Sequence, residues 1–298
     1  MKKYLYTVLT VLFVSTLVNA QEEGKEKKDF DKKFRFGLRV AAQPCWFTSN
    51  ENNNKPYGAM FGTGFGLNME FRFSDIVALS TGIGADFEGG KLTYRQESSD
   101  NYAVSYWMDN TKNMVAVEGK VNPQDISNTT NTRFYVKERL VKTTHITLPA
   151  LLKMSTNEYS GFKYFGMFGA EIGIRIKSVA DDKYTTSYTF DNLGLVTNGA
   201  AGDKNTPDSK NLNISKDASL VPMRIGFNAG MGFEYRLGGS TSFFMSVNYF
   251  RSFTNLMRSD SKFLVSDVIT EPNGNQSYKM IEQNLIQNAI RINLGILF

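Results

Sequence analysis

A chain of 298 residues with a formal charge of +5 can bury a sizeable core, and so mild an excess is no nucleic-acid signature. A mean hydropathy of −0.30 excludes a bundle of membrane helices, each of which needs roughly 20 consecutive apolar residues. Cys45 is the single cysteine, which excludes an internal disulfide and reads as a small apolar residue in a strand.

The first segment reads as an export signal over residues 1–20. Lys2 and Lys3 form a basic start, Tyr4 to Leu17 an apolar stretch, and Val18-Asn19-Ala20 a small-residue cleavage site. Gln21 follows, with no cysteine there to carry a lipid. Residues 21–33 are charged apart from Phe30 and read as a periplasmic lead.

Eight segments of period-two alternation then follow. Strand one, about Phe34 to Phe47, sets Phe34, Phe36, Leu38, Val40 and Ala42 against Arg35, Gly37, Arg39 and Gln43. Strand two, about Ala59 to Phe73, sets Phe61, Phe65, Leu67, Met69 and Phe71 against Gly62, Gly64, Gly66, Asn68, Glu70 and Arg72. Strand three begins after Ser74-Asp75, with Val77, Leu79, Ile83 and Phe87 outward and Ser80, Gly82, Gly84 and Asp86 inward. Strand four, about Leu140 to Met154, carries Ile146, Leu148, Leu152 and Met154 outward. Its Pro149 removes a ladder hydrogen bond and predicts a bulge. Strand five, about Phe162 to Val179, places Lys163, Glu171, Arg175 and Lys177 inward. Strand six, about Val221 to Leu237, does the same with Arg224, Asn228, Glu234 and Arg236. Strand seven runs about Thr241 to Phe253, and strand eight ends at Phe298 with Arg291 and Asn293 on its polar face.

Short connections (Ser74-Asp75, residues 155–161, Gly238-Gly239-Ser240) alternate with long polar ones near residues 48–58, 90–139, 180–220 and 254–284. Tight turns on one side and long loops on the other are what an outer-membrane barrel requires. The expected fold over residues 34–298 is therefore all-β: an eight-stranded antiparallel transmembrane β-barrel with short periplasmic turns and four long extracellular loops. Both termini then lie in the periplasm, and the address is the bacterial outer membrane. A soluble two-sheet sandwich shares the alternation, but it does not need the turn asymmetry, the export segment and a terminal aromatic together. Phe298 closes the last strand as an aromatic insertion signal, read by the barrel-insertion machinery.

The inward parity gathers Arg35, Arg39, Glu70, Arg72, Asp86, Lys163, Glu171, Arg175, Arg224, Glu234, Arg236 and Arg291, with Lys177. An eight-stranded barrel is just wide enough for its side chains to fill. These charges form either a structural salt-bridged plug or the lining of a narrow, anion-biased pore. Phe34, Phe71, Phe73, Tyr164, Tyr235 and Phe298 fall toward the periplasmic rim, and Phe47, Phe87 and Tyr249 toward the outer one, as interfacial girdles. Trp107, near Tyr102 and Tyr106, reads as loop packing before it reads as a ligand-facing patch.

Some small outer-membrane barrels are enzymes, and such chemistry usually needs a general base. His145 is the single histidine, on the inner parity of strand four, and spacing assigns it no nucleophile. Asp181, Asp182, Asp260 and Asp267 could meet a divalent cation in exposed loops, but no calcium-loop spacing is present. No catalytic, cofactor or metal site is expected.

The runs KFRFGLRVAAQP, GFGLNMEFRFSDIVALSTGIG, ITLPALLKMSTNEYSGFKYFGMFGAEIGIRIKSVADD and GMGFEYRLGGSTSF resemble the PorT-like outer-membrane β-barrel proteins of the Bacteroidetes. The hairpin from Ile146 to Asp182 is the most specific piece. Family members usually carry an acid before Ile-Pro-Leu there, whereas this chain has Thr147-Leu148-Pro149-Ala150. The resemblance implies an integral barrel of mostly unassigned function, in a family whose namesake takes part in type IX protein secretion.

The expected function is that of a non-enzymatic barrel with a structural or interaction role through its surface loops. The alternatives are a narrow anion-biased transport pore and an accessory of type IX secretion. The expected partners are outer-membrane lipid, the insertion machinery and a secretion-complex or extracellular loop partner, with no nucleic acid.

Overall fold

Eight strands close on themselves in the computed structural model, which describes residues 33–51, 53–98, 101–102, 104–108, 111, 113–116, 120–121, 132–190, 196–197, 209–214, 220–257, 263–270 and 276–298. The expected export segment and all of the lead except Lys33 lie outside them. The barrel strands are β1 (Phe34–Thr48), β2 (Met60–Arg72), β3 (Val77–Tyr94), β4 (Thr132–Ser155), β5 (Phe162–Phe190), β6 (Met223–Gly238), β7 (Thr241–Ser252) and β8 (Ile286–Leu297). Each pairs antiparallel with the next, and β8 returns to β1 through Leu297↔Gly37 and Ile286↔Thr48. Closure leaves no barrel strand with an unpaired edge, as lipid demands of a β-protein.

The period-two pattern decides which face each residue takes. Phe36, Leu38, Val40, Phe61, Phe65 and Leu67 stand on the outside with half or more of their surface exposed, while Arg35, Gln43 and Glu70 are buried inside. Apolar-out and polar-in is the inverse of a soluble protein, and it suits a wall facing hydrocarbon. The turn end is tight. Ser160 (φ 49°) and Gly161 (φ 82°) join β4 to β5 as a two-residue hairpin, with Tyr159 and Phe162 exchanging backbone hydrogen bonds at 2.8 and 2.9 Å. A turn with positive φ at both central residues matches the strand twist and favours glycine. Gly161→Val is accordingly expected to lower stability by about 1–2 kcal/mol in a urea titration. Gly238→Ala, whose added carbon meets open space, is expected to leave the midpoint unchanged.

Two expectations change. Pro149 makes no bulge: Pro149↔Glu171 holds in the β4–β5 ladder, and the missing ladder pairs are those of Leu148 and Pro149 with β3. The register shift lies instead between Thr144↔Lys177 and His145↔Arg175, where β5 carries one extra residue. A bulge reverses the parity beyond it. Lys177, expected inward, is exposed, and Asp182, expected in an exposed loop, is buried.

The loop end also differs. β3 continues to Tyr94, β4 starts at Thr132 and β5 runs to Phe190, so the expected long loops begin as strands that rise past the apolar band. Residues Asn54–Gly58 and Ser209–Asn213 add to β3 and β5 there. Above Gly89 and Gly90 the faces exchange character. Lys91 and Thr93 are the partly exposed positions of β3, and Leu92 and Tyr94 are buried. The strands keep their period but no longer display apolar residues outward, which is why the sequence reads there as loop.

The inward apolar residues of these extensions meet apolar residues of the connections in one cluster. Phe47, Leu92, Tyr94, Val136, Val141 and Ala180 pack with Val104, Tyr106, Met108, Leu212, Ile214, Leu220, Leu256, Leu264, Ile281 and Leu285. Phe47, expected in the outer aromatic girdle, belongs to this cap, because it lies on the inner parity of β1. Trp46 takes the outward position beside Tyr249, with ring centroids 6.4 Å apart. The barrel thus holds a polar lumen under a water-excluding lid.

Candidate functional site: an ion-paired lumen beneath an apolar cap

The lumen charges sort into two groups along the barrel. Nearer the turn end, Arg35 Nη1 meets Glu234 at 2.8 Å and Glu70 at 3.9 Å, and Arg35 Nη2 donates to Ser242 Oγ at 2.9 Å. Lys153 bonds Glu70 at 2.7 Å and also Glu234, and its ammonium lies 4.3 Å from the Phe165 ring centroid. Two cations meet two carboxylates, and all four are nearly fully buried.

Nearer the cap, Arg291 bridges Glu171 at 2.5 Å and Glu88 at 2.7 Å while its Nε donates to Gln43 at 2.9 Å. Arg224 meets Glu88 at 2.5 Å and Glu171 at 3.5 Å. Both guanidinium groups stack on the buried Phe250 ring, at 4.4 and 4.6 Å from its centroid. Beside them, Asp86 accepts from Thr147 at 2.6 Å and pairs with Arg39 at 3.5 Å. Three cations again meet three carboxylates. An isolated buried charge would cost several kcal/mol, so matched numbers and multiple contacts are what allow the burial.

Between the groups, Asn228, Ser246, Asn248 and Asn293 hydrogen-bond one another at 2.9–3.1 Å. They border a cavity of about 50 Å³ that also touches Arg39, Glu171 and Arg291. Such a space holds one or a few waters.

The other inward-parity residues sit at the rims. Arg72 and Lys163 donate to the Asp75 carbonyl at 3.2 and 2.8 Å, and Arg236 meets Glu158 at 3.4 Å. Arg175 donates to the Leu220 and Val221 carbonyls at 3.3 Å and to Ser178 Oγ at 2.9 Å, tying the stretch before β6 to the wall. Phe298 stands outward at the turn end, its ring 5.5 Å from Phe36. Cys45 is buried against Phe250 and Ala289.

Glu88 and Lys153 complete both lumen groups, and sequence reasoning passed over them. Both were legible by parity: Glu88 follows Asp86 by two, and Lys153 lies between outward Leu152 and Met154.

A third ion pair lies inside the cap. Arg139 forks onto Asp182 with two hydrogen bonds of 2.7 Å, and Tyr106 Oη donates to the same carboxylate at 2.8 Å. Tyr184 Oη lies 2.5 Å from Tyr106 Oη. Asp181 faces out to Lys142 instead. Asp182, read as a residue of an exposed loop, is instead buried and held by Arg139, and the side chains of Asp260 and Asp267 lie outside the described residues. Among the described residues no three His, Cys, Asp or Glu gather as a metal site. Trp107 is fully buried, with the Arg133 guanidinium 4.7 Å from its ring centroid, so it packs and presents no open face.

Burial first, and then the charge of Asp182, pushes the Tyr106 phenol well above 10. A proton held more tightly in the folded state gives the cap stability that is complete below pH 10. It is lost as the pH rises through the raised value. Tyrosinate absorbance and near-ultraviolet dichroism recorded together above pH 10 are expected to show Tyr106 ionising only as the cap loosens.

His145 is buried on the inner face, its Nδ1 3.7 Å from Glu88, and it stands opposite Asp86 in the β3–β4 ladder. Its surroundings are the ion-paired cluster, and no serine, cysteine or threonine stands hydrogen-bonded to it among the described residues.

A closed eight-stranded antiparallel wall with an apolar outside and a charged inside defines an outer-membrane-type barrel. The chain belongs to the outer membrane protein beta-barrel domain family, which matches residues 19–258, and this places it in the bacterial outer membrane. No curated protein matches the chain. Among solved structures it is similar to neisserial surface protein A, at 10% identity and TM-score 0.32 over 87% of this chain and 95% of that one. A major outer membrane protein from Thermus thermophilus gives 10% identity and TM-score 0.38 over 90% and 100%. The outer membrane protease OmpT from Escherichia coli gives 6% and 0.36 over 89% and 96%.

Proposed function

We propose that this protein is a non-enzymatic, non-conducting outer-membrane barrel that works through its capped loop end, as a structural or interaction-bearing element. The observation that carries this reading is the matched pairing of the lumen charges under an apolar lid, with a cavity of about 50 Å³ between the charged groups. A conduit for anions needs cations with coordination to spare, whereas Arg35, Arg224 and Arg291 are each engaged by carboxylates. The loop end faces outward and both termini lie in the periplasm in this reading, because short turns belong on the periplasmic side. Phe298, on the outside of the wall at the turn end, suits the role of insertion signal. Membership in the PorT-like branch is a finer proposal resting on the Ile146 to Asp182 hairpin.

Liposomes carrying the folded protein test the reading directly. They are expected to swell in arabinose or potassium chloride no faster than protein-free liposomes. Swelling that depends on the protein would overturn it.

A further inference from the structure

Above the apolar band, the outer face of β3, β4 and β5 is basic, and the β5 bulge builds part of that face. Its lowest row is Phe87–Thr144–Lys177, immediately beyond the apolar row Ala85–Ile146–Ile174. Lys177 reaches the outside only because the bulge re-aims it, and Ile176 beside it is 59% exposed. Successive rows carry Lys142, then Lys91 with Asp181, then Lys55 and Lys183 with Glu138. Outward rows rise about 7 Å apart, so the lysines cover some ~20 Å of wall.

Five lysines share this face with two acids. Lys142 holds Asp181, and Lys183 meets Glu138 at 2.9 Å. Lys55, Lys91 and Lys177 have no carboxylate within ion-pair distance among the described residues. At the turn-end rim Arg236 is matched by Glu158, while Arg72 and Lys163 turn onto the Asp75 carbonyl.

The band edge fixes the height of this surface, because lipid headgroups begin where the apolar wall stops. Its sign fixes the partner's sign. We infer that this face binds the phosphorylated sugar headgroup of an outer-leaflet glycolipid, with Lys55, Lys91 and Lys177 as phosphate contacts. The inference rests on the proposed outward orientation of the loop end. Each lysine near an anionic membrane surface adds a modest increment, so three together account for roughly a hundredfold in affinity at low salt.

Binding is measured on the detergent-solubilised full chain with three probes: a bis-phosphorylated lipid A, the same glycolipid after phosphatase treatment, and phosphatidylglycerol. The expected result is retention of the phosphorylated glycolipid alone. The combined Lys55→Gln, Lys91→Gln, Lys177→Gln variant, shown by heat-modifiability to be folded, is expected to bind about a hundredfold more weakly. Arg251→Gln, on β7 away from this face, is expected to bind normally. Equal binding of the dephosphorylated glycolipid or of phosphatidylglycerol, or an unaffected triple variant, would overturn the inference. Orientation is read separately, by labelling Asn113→Cys on intact cells with a membrane-impermeant maleimide, since the native Cys45 is buried. Lipid binding without surface labelling would refute the orientation and leave the binding face standing.

Discussion

Arg291→Met is expected to destabilise the barrel by about 3–5 kcal/mol in urea titrations from lipid vesicles, because it strands two carboxylates at once. Arg291 supplies the 2.5 Å contact to Glu171 and the 2.7 Å contact to Glu88, and its Nε also satisfies Gln43. Without it, Arg224 alone faces both acids, held to Glu171 at only 3.5 Å. The stacked Phe250 ring loses one of its two guanidinium partners. Adding Glu171→Gln to Arg291→Met is expected to restore a large part of the loss, since the second change removes the charge that the first left unpaired. Strict additivity of the two changes would mean that the groups do not act as one cluster.

Asp182→Ala is expected to produce a loss of similar size, confined to the cap. Asp182 is the acceptor for both forked bonds from Arg139 and for the Tyr106 hydroxyl, all three being buried. Its removal leaves a guanidinium in an apolar cluster at a cost of about 3–5 kcal/mol. The lid then opens while the lipid-facing wall persists. The chain has two tryptophans, Trp46 on the wall and Trp107 in the cap. In a Trp46→Phe background the emission of Trp107 is expected to shift to the red in Asp182→Ala, and the loops to become sensitive to protease. Heat-modifiability on a gel is expected to remain that of a folded barrel. Emission unchanged from the parent would contradict the anchoring role of the pair.

The wall was legible in the sequence because period-two alternation survives wherever one face meets hydrocarbon. Phe61, Phe65 and Leu67 against Gly62, Gly64 and Gly66 needed no further information. The lumen pairing was half legible. Parity put Arg35, Glu234, Arg224 and Arg291 inside, but a count that also took in Arg72, Lys163, Arg175 and Arg236, which sit at the rims, and Lys177, which faces out, gave a cationic excess that the two lumen groups do not have. The cap was hidden for a different reason. Beyond Gly89 the outward positions turn polar and the inward ones apolar, so a reading keyed to apolar outward residues stopped at the band edge. The β5 bulge compounded this, since one extra residue exchanged Asp181 with Asp182 and brought Lys177 out. No local pattern marks that insertion, because Ile174, Ile176 and Val179 continue to read as strand on either side of it.

The sealed lumen is the central claim, and planar-bilayer recording tests it most directly. The refolded full-length protein is expected to insert without steady openings at any moderate voltage. The combined Arg291→Ala and Asp182→Ala variant, which disrupts both the upper ion cluster and the cap, is expected to pass current. Steady, anion-selective openings from the unmodified protein, with selectivity altered by Arg39→Ala, would contradict the account and make the inward arginines the lining of a pore.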